Sequence, residues 1–282
     1  MSHFVVVDAA DVCAHVGMLQ TLLAALHLAL LPAMTPPGPQ AAGGPTEAGA
    51  TSVRWASPAG PVRIWKPAGY APETAATVIY VHGYHRHADS VWTVADLARQ
   101  FADSGRNALF VVPTAAESDR SPMRWARLAD LFADLAARGI ERPAGPVVVV
   151  GHSGAYRTVS RWVGQDDAGV SAVILLDALY GGHAAFERFA RRGRLAVVTH
   201  STAPQAARFL ARMPGVVRRS EVPSGGAFTA AEREARVLAL DTQLGHASLN
   251  DTGAFLPALL GLFAPPTWAP ETANEPLVTA AR

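Results

Sequence analysis

Short, valine-rich apolar runs recur along the chain, and between them apolar residues return every three or four positions. The continuous runs predict strands at Val62–Trp65, Thr77–Val81, Ala108–Val112, Val147–Val150, Ala172–Leu176, Leu195–Thr199 and Val216–Val222. The central ones carry almost no polar residue, as expected of parallel strands covered on both faces. The periodic stretches predict helices. One runs from about Val91 to Ser104, capped by Asp89 or Ser90 and stopped by Gly105, with Val94, Leu97 and Phe101 as its inward stripe. Ser121-Pro122 opens another that ends at Gly139, with Leu128, Leu131 and Leu135 inward. A third covers Ala155 to Val163. Thr229 with Glu232 has the spacing of a capping box for a helix reaching about Gln243. Strands alternating with helices predict an α/β fold: a mostly parallel central sheet with helices on both faces.

Outside this alternation the pattern changes. Val12–Leu31 is a largely apolar run, and residues 36–50 are a low-complexity Pro/Gly/Ala stretch expected to be a flexible linker. Residues 51–264 read as one catalytic domain, 1–50 as an apolar segment plus linker, and 265–282 as a polar tail. The apolar run is consistent with an atypical secretory signal or membrane anchor. It is equally consistent with a helix docking through Leu19, Leu22, Leu23, Leu26 and Leu30. Asp8 and Asp11 stand where a signal would carry positive charge, so the chain is expected to be cytoplasmic or exported, with membrane association through residues 12–31 only under the anchor reading.

Composition narrows the classes of function. Half of the 282 residues are hydrophobic, 17% are charged and the net charge is +1. A large core is affordable, and no basic stripe marks a nucleic-acid partner. Cys13 is the single cysteine, which excludes an internal disulfide and a cysteine-built metal site.

The candidate chemistry begins at Val147-Val148-Val149-Val150-Gly151-His152-Ser153-Gly154-Ala155. A buried strand ends in a small-residue turn with a serine at its apex and a helix behind it, which exposes the hydroxyl at the carboxyl edge of a sheet. The pattern is G-x-S-x-G with alanine in the last place. Asp177 follows the next strand directly, and His246 follows the last one, completing the order Ser, Asp, His. A serine hydroxyl becomes a nucleophile when an imidazole takes its proton, and a carboxylate fixes the tautomer of that imidazole. The strand ending at Thr199 carries no carboxylate, which also favours Asp177; His200 at its end is the rival base.

With Val78-Ile79-Tyr80-Val81-His82-Gly83-Tyr84 added, residues 60–264 resemble the α/β-hydrolase family. The resemblance implies the fold and a Ser–acid–His triad of Ser153, Asp177 and His246, not the substrate. It further implies an oxyanion hole from the main-chain N–H groups of Tyr84 and Gly154, with the Tyr84 side chain and His152 at the substrate and His82 in a structural role. His85-Arg86-His87-Ala88-Asp89 resembles half of a zinc motif, but Ser90 follows where histidine is wanted, and a polar run into a helix cap accounts for the same residues. Glu117 and Asp119 read as a solvated loop at the sheet edge, and Trp92, Trp125 and Trp162 as core.

The expected activity is hydrolysis of a carboxylic ester through an acyl-enzyme on Ser153, with no cofactor and no metal. Amide or peptide hydrolysis and acyl transfer use the same triad. A non-catalytic binding protein of this fold is the alternative of a different class. Ala178–Arg194 is too short for a large cap domain, so an open, shallow site is expected, accessible to a small-molecule or polymer acyl substrate.

Overall fold

The computed structural model describes residues 40–41, 49–166, 168–223 and 227–263. The apolar run 12–31, Cys13, most of the 36–50 stretch and the 265–282 tail lie outside the described residues.

The apolar runs become strands of one ten-stranded sheet. In chain order they are β1 (Gln40–Ala41), β2 (Thr51–Ser57), β3 (Gly60–Lys66), β4 (Ala76–Val81), β5 (Ala108–Pro113), β6 (Val147–His152), β7 (Val170–Leu176), β8 (Arg194–Thr199), β9 (Val216–Arg219) and β10 (Val237–Asp241). The spatial order is β1-β2-β3-β5-β4-β6-β7-β8-β10-β9. From β5 to β9 every pairing is parallel; β1, β2 and β3 add an antiparallel edge. Every residue of β4, β5 and β6 is buried, as continuous apolar strands demand.

The two faces hold separate cores. Ile79, Val81, Val147 and Val149 face one, closed by α3 (Leu128–Ala136), α4 (Tyr156–Gln165), α5 (His183–Ala190) and α6 (Ala203–Leu210) through Leu131, Trp162, Phe186 and Phe209. Val78, Tyr80, Val148 and Val150 face the other. There α1 (Ala88–Val94), α2 (Leu97–Asp103), α8 (Ser248–Asp251) and α9 (Leu256–Phe263) contribute Val91, Phe101, Leu249 and Leu260. A short α7 (Ala230–Glu234) precedes β10. Among the described residues no large cap stands over the sheet, and no helix is long and apolar enough to cross a membrane.

Several helices differ from the sequence pattern. The Val91–Ser104 helix is two, broken at Asp96, whose backbone is left-handed (φ 47°). The break is held by buried Gln100, whose Nε2 donates to the Ala95 carbonyl at 2.6 Å and to that of Asn250 at 2.8 Å. Val94 consequently points outward, 51% exposed. The first of the two is capped not by Asp89 or Ser90 but by His87, which forms a capping box with Ser90.

The helix expected from Ser121 starts only at Leu128. Carbonyls ahead of it are taken by α4: Arg157 donates to Ser118, Asp119 and Ser121, and Trp162 Nε1 donates to Trp125. The helix expected over 229–243 ends within two turns. Its capping box forms, but Ala235 leaves helical conformation (ψ 129°) and Val237-Leu238-Ala239-Leu240 fill the slot between β8 and β9 as a strand. β2 and the two-residue β1 also went without a signal in the apolar pattern.

Candidate active site

The order of the sheet reverses between β4 and β6: β5 lies beyond one and β7 beyond the other. A crevice opens at the carboxyl ends of parallel strands where the order reverses in this way. The turn after β4 brings His82-Gly83-Tyr84 there, and the turn after β6 brings Ser153.

Ser153 has φ 55°, a left-handed backbone that costs a non-glycine residue on the order of 1–2 kcal/mol. A single 3₁₀ turn, Ser153–Ala155, then leads into α4. Two glycines admit this geometry. A Cβ on Gly83 would lie 2.7 Å from Ser153 Cβ and 3.1 Å from the His152 carbonyl oxygen. A Cβ on Gly154 would lie 2.5 Å from the Tyr84 ring. The 83–84 backbone and the Tyr84 ring thus lie directly against the nucleophile turn.

Asp177 also has a left-handed backbone (φ 45°), and its side chain is wholly buried. It accepts from the main-chain N–H groups of His200 (3.0 Å), Ser201 (3.0 Å) and Thr202 (2.8 Å), and from the Thr202 hydroxyl at 2.7 Å. Burial alone would push its carboxyl up. The His246 ring and the N–H donors of Thr202 and His200 outweigh that and hold it well below the usual carboxylate range.

His246 joins the two. Its Nδ1 lies 2.6 Å from Asp177 Oδ2 and its Nε2 lies 2.8 Å from Ser153 Oγ. The carboxylate only accepts, so Nδ1 carries the proton and Nε2 is free to accept from the serine hydroxyl. The structure therefore brings together the three residues expected from the sequence. The rival His200 does not reach the serine; its Nδ1 lies 3.4 Å from the Thr242 carbonyl. The second half of the stretch expected as a helix up to Gln243 is β10, which delivers the histidine loop to the same sheet edge as Asp177.

His152, expected at the substrate, has its ring engaged with His246. His152 is 9% exposed, its ring lies tilted against that of His246 (32°, 4.8 Å between centroids), and its Nε2 donates to the His246 carbonyl at 3.1 Å. Burial pulls its pKa down to about 4, so it is neutral near pH 7 and holds the loop of the base. His82 is also buried, with a pKa pulled down to about 4 by burial. It donates from Nδ1 to the Gly83 carbonyl (2.8 Å) and accepts at Nε2 from the Ala115 N–H (2.8 Å), tying the 83–84 turn to the next loop.

The other candidates are engaged elsewhere. His87 caps α1, and Asp89 pairs with Arg54 (2.7 Å) and Arg63 (2.6 Å), clipping that helix onto β2 and β3. Among the described residues no group of His, Cys, Asp and Glu has metal-site geometry. Glu117 faces Arg124 at 3.8 Å with its side chain half exposed, and the carbonyl of Asp119 receives Arg157. Trp125 and Trp162 are buried in the core; Trp92 is partly buried and edges Phe101 at 6.2 Å.

Tyr156 and Tyr180 have no assigned role in the sequence pattern. Tyr180 sits on the loop three residues after Asp177, 39% exposed, with its ring edge-on to His246 at 6.3 Å. Tyr156 stands 6.1 Å from Tyr180 and is seated on Gly181, where a Cβ would come within 2.8 Å of its ring.

No protein-family model matches the sequence. No curated protein matches it either. Solved structures do. The feruloyl esterase module from Clostridium thermocellum, complexed with sinapinate, superposes with a TM-score of 0.55 at 11% identity, covering 83% of this chain and 96% of that one. A fluorophosphonate-binding serine hydrolase of Staphylococcus aureus, FphF, gives 0.52 at 12% identity, covering 78% and 99%. The chain has the α/β-hydrolase fold.

Proposed function

We propose that this α/β-hydrolase-fold protein is a serine hydrolase that cleaves carboxylic esters through an acyl-enzyme on Ser153. The observation that carries the reading is the continuous chain Ser153 Oγ to His246 Nε2 (2.8 Å) and His246 Nδ1 to Asp177 Oδ2 (2.6 Å). His246 takes the serine proton as Oγ attacks the acyl carbonyl, and Asp177 stabilises the imidazolium that forms. The tetrahedral oxyanion is received by the N–H groups of Gly154 and Tyr84. Donors of this kind contribute a few kcal/mol because they address charge that develops only in the transition state. The imidazolium then gives its proton to the leaving oxygen as the C–O bond breaks. Water, deprotonated by the same imidazole, releases the acid and restores the hydroxyl.

No step asks for a metal or cofactor. The two solved structures described above bear the names of an esterase and a serine hydrolase, and the intact triad favours catalysis over a binding-only role. With no large cap among the described residues, the substrate is an accessible acyl group, on a small molecule or at the surface of a polymer.

The test is turnover of a series of short- and long-chain acyl esters, with matched anilides alongside. The wild type should hydrolyse esters faster than anilides, and Ser153→Ala and His246→Ala should each lose at least about 10³-fold in kcat. Ester turnover that survives in Ser153→Ala at wild-type rate would remove the proposal. Anilide turnover equal to ester turnover would move the substrate to amides.

A further inference from the structure

The tyrosine rings beside the triad do no work in the steps above. Tyr84 covers Gly154, Tyr156 is seated on Gly181, Tyr180 lies 6.1 Å from Tyr156, and His246 lies 6.3 Å from Tyr180. In the sheet, the turn carrying Gly83 and Tyr84 follows β4 on one flank of β6, whereas Tyr180 follows β7 on the other. The Tyr84 loop and the Tyr180 loop therefore enter the site from opposite flanks of β6, and His246 comes in on the flank of Tyr180.

The chemistry gives these sides different cargo. The proton returned by His246 goes to the leaving oxygen, so the leaving group must sit at the imidazole. Tyr180 presents its ring edge-on to that imidazole at 6.3 Å and is 39% exposed, so a group held at the imidazole lies within reach of the ring. The Tyr156 ring lies 6.1 Å from it at a tilt of 47°, and Gly181 leaves no side chain between that ring and the backbone.

Resting on the serine-hydrolase reading, we infer that Tyr180, backed by Tyr156, forms a leaving-group subsite that takes the aromatic ring of an arylalkyl or aryl alcohol. The acyl carbon transfers to Ser153 Oγ, the ester C–O bond breaks, and the alcohol leaves with the proton from His246 while its ring is stacked on Tyr180. Ring-on-ring contact favours a planar partner over a saturated one of the same size by roughly three- to tenfold. Tyr180 is a specificity residue here; it moves no proton.

Benzyl and cyclohexylmethyl acetate differ in planarity while their alcohols have similar leaving ability, so their kcat/KM ratio isolates the stacking. The wild type should prefer the benzyl ester by roughly three- to tenfold. Tyr180→Leu, which keeps apolar bulk, should bring the ratio close to one, and Tyr180→Phe should restore it. A wild-type ratio near one, or a ratio unchanged in Tyr180→Leu, overturns the subsite. Reaction of each protein with a fluorophosphonate, whose leaving group is fluoride, separates the two levels. Labelling without ring preference sinks the subsite alone. No labelling and no turnover in the wild type sinks the hydrolase reading and the subsite together.

Discussion

Ser153 combines a reactive position with an unfavourable backbone. At φ 55°, glycine is relieved of the clash between Cβ and carbonyl that serine and alanine share. Ser153→Gly should therefore be more stable than Ser153→Ala by about 1 kcal/mol, the reverse of the usual helix order, in urea unfolding of the two inactive variants. Equal stability would mean that the turn stores no strain at this residue. Gly83 presses on the same turn. Gly83→Ala puts a methyl 2.7 Å from Ser153 Cβ and 3.1 Å from a main-chain oxygen, so the turn must shift and ester turnover should fall by about 10² or more, since catalytic geometry tolerates little displacement. Asp177 holds both the His246 ring and the 200–202 turn. Asp177→Asn keeps the size but presents an amide donor to groups that donate. It should lower kcat on the order of 10⁴-fold and lower Tm as well. A variant within tenfold of the wild-type rate would move the acid role elsewhere.

At the scale of elements, the site was legible wherever strand and turn were adjacent in sequence. Val147–Ser153 declares itself because a strand buried on both faces must be apolar throughout and a sharp exit from it needs small residues. Asp177 follows its strand directly for the same reason. β10 was not legible. Val237–Leu240 is only four apolar residues long and follows a true capping box at Thr229 and Glu232, so the local signal favours a continuing helix. What decides otherwise is a vacancy between β8 and β9 that no local pattern can report. The late start of α3 has the same origin, since Arg157 and Trp162 on α4 claim its upstream carbonyls across roughly 40 residues of chain. The pairing of Tyr156 with Tyr180 has no local signal; only the fold brings Tyr180 beside the base and Tyr156 against Tyr180. Hydrogen exchange distinguishes the two conformations of 237–240. As an interior strand, the amides of Leu238, Ala239 and Leu240 should exchange as slowly as those of β8, whereas exchange as fast as that of α7 would contradict the register with Leu195–Val198.

At the scale of the molecule, two buried neutral histidines, together with the buried carboxylates of Asp177 and Glu232, shape the response to acid. His82 and His152 have folded pKa values of about 4, against about 6.5 in an unfolded chain. Between those values the unfolded chain binds protons that the folded one refuses. Stability is therefore intact above about pH 6.5 and erodes as the pH falls toward 4, by up to about 3 kcal/mol for each ring. Asp177, held below the usual carboxylate range, adds a loss that begins only below about pH 4, where the unfolded carboxyl protonates. The urea midpoint should fall steadily from pH 7 to 4.5, and a flat profile would mean that neither ring is buried as described. These histidines flank the nucleophile turn, one under the 83–84 loop and one under the loop of the base, so acid should loosen the site together with the fold. The claim on which everything rests is that Ser153 is the activated hydroxyl. The direct measurement is the mass of the whole chain after exposure to a fluorophosphonate, with the modified peptide sequenced. One adduct per chain on Ser153, absent from Ser153→Ala and strongly slowed in His246→Ala, is the predicted result; a wild type left unmodified, or an adduct that persists in Ser153→Ala, would contradict it.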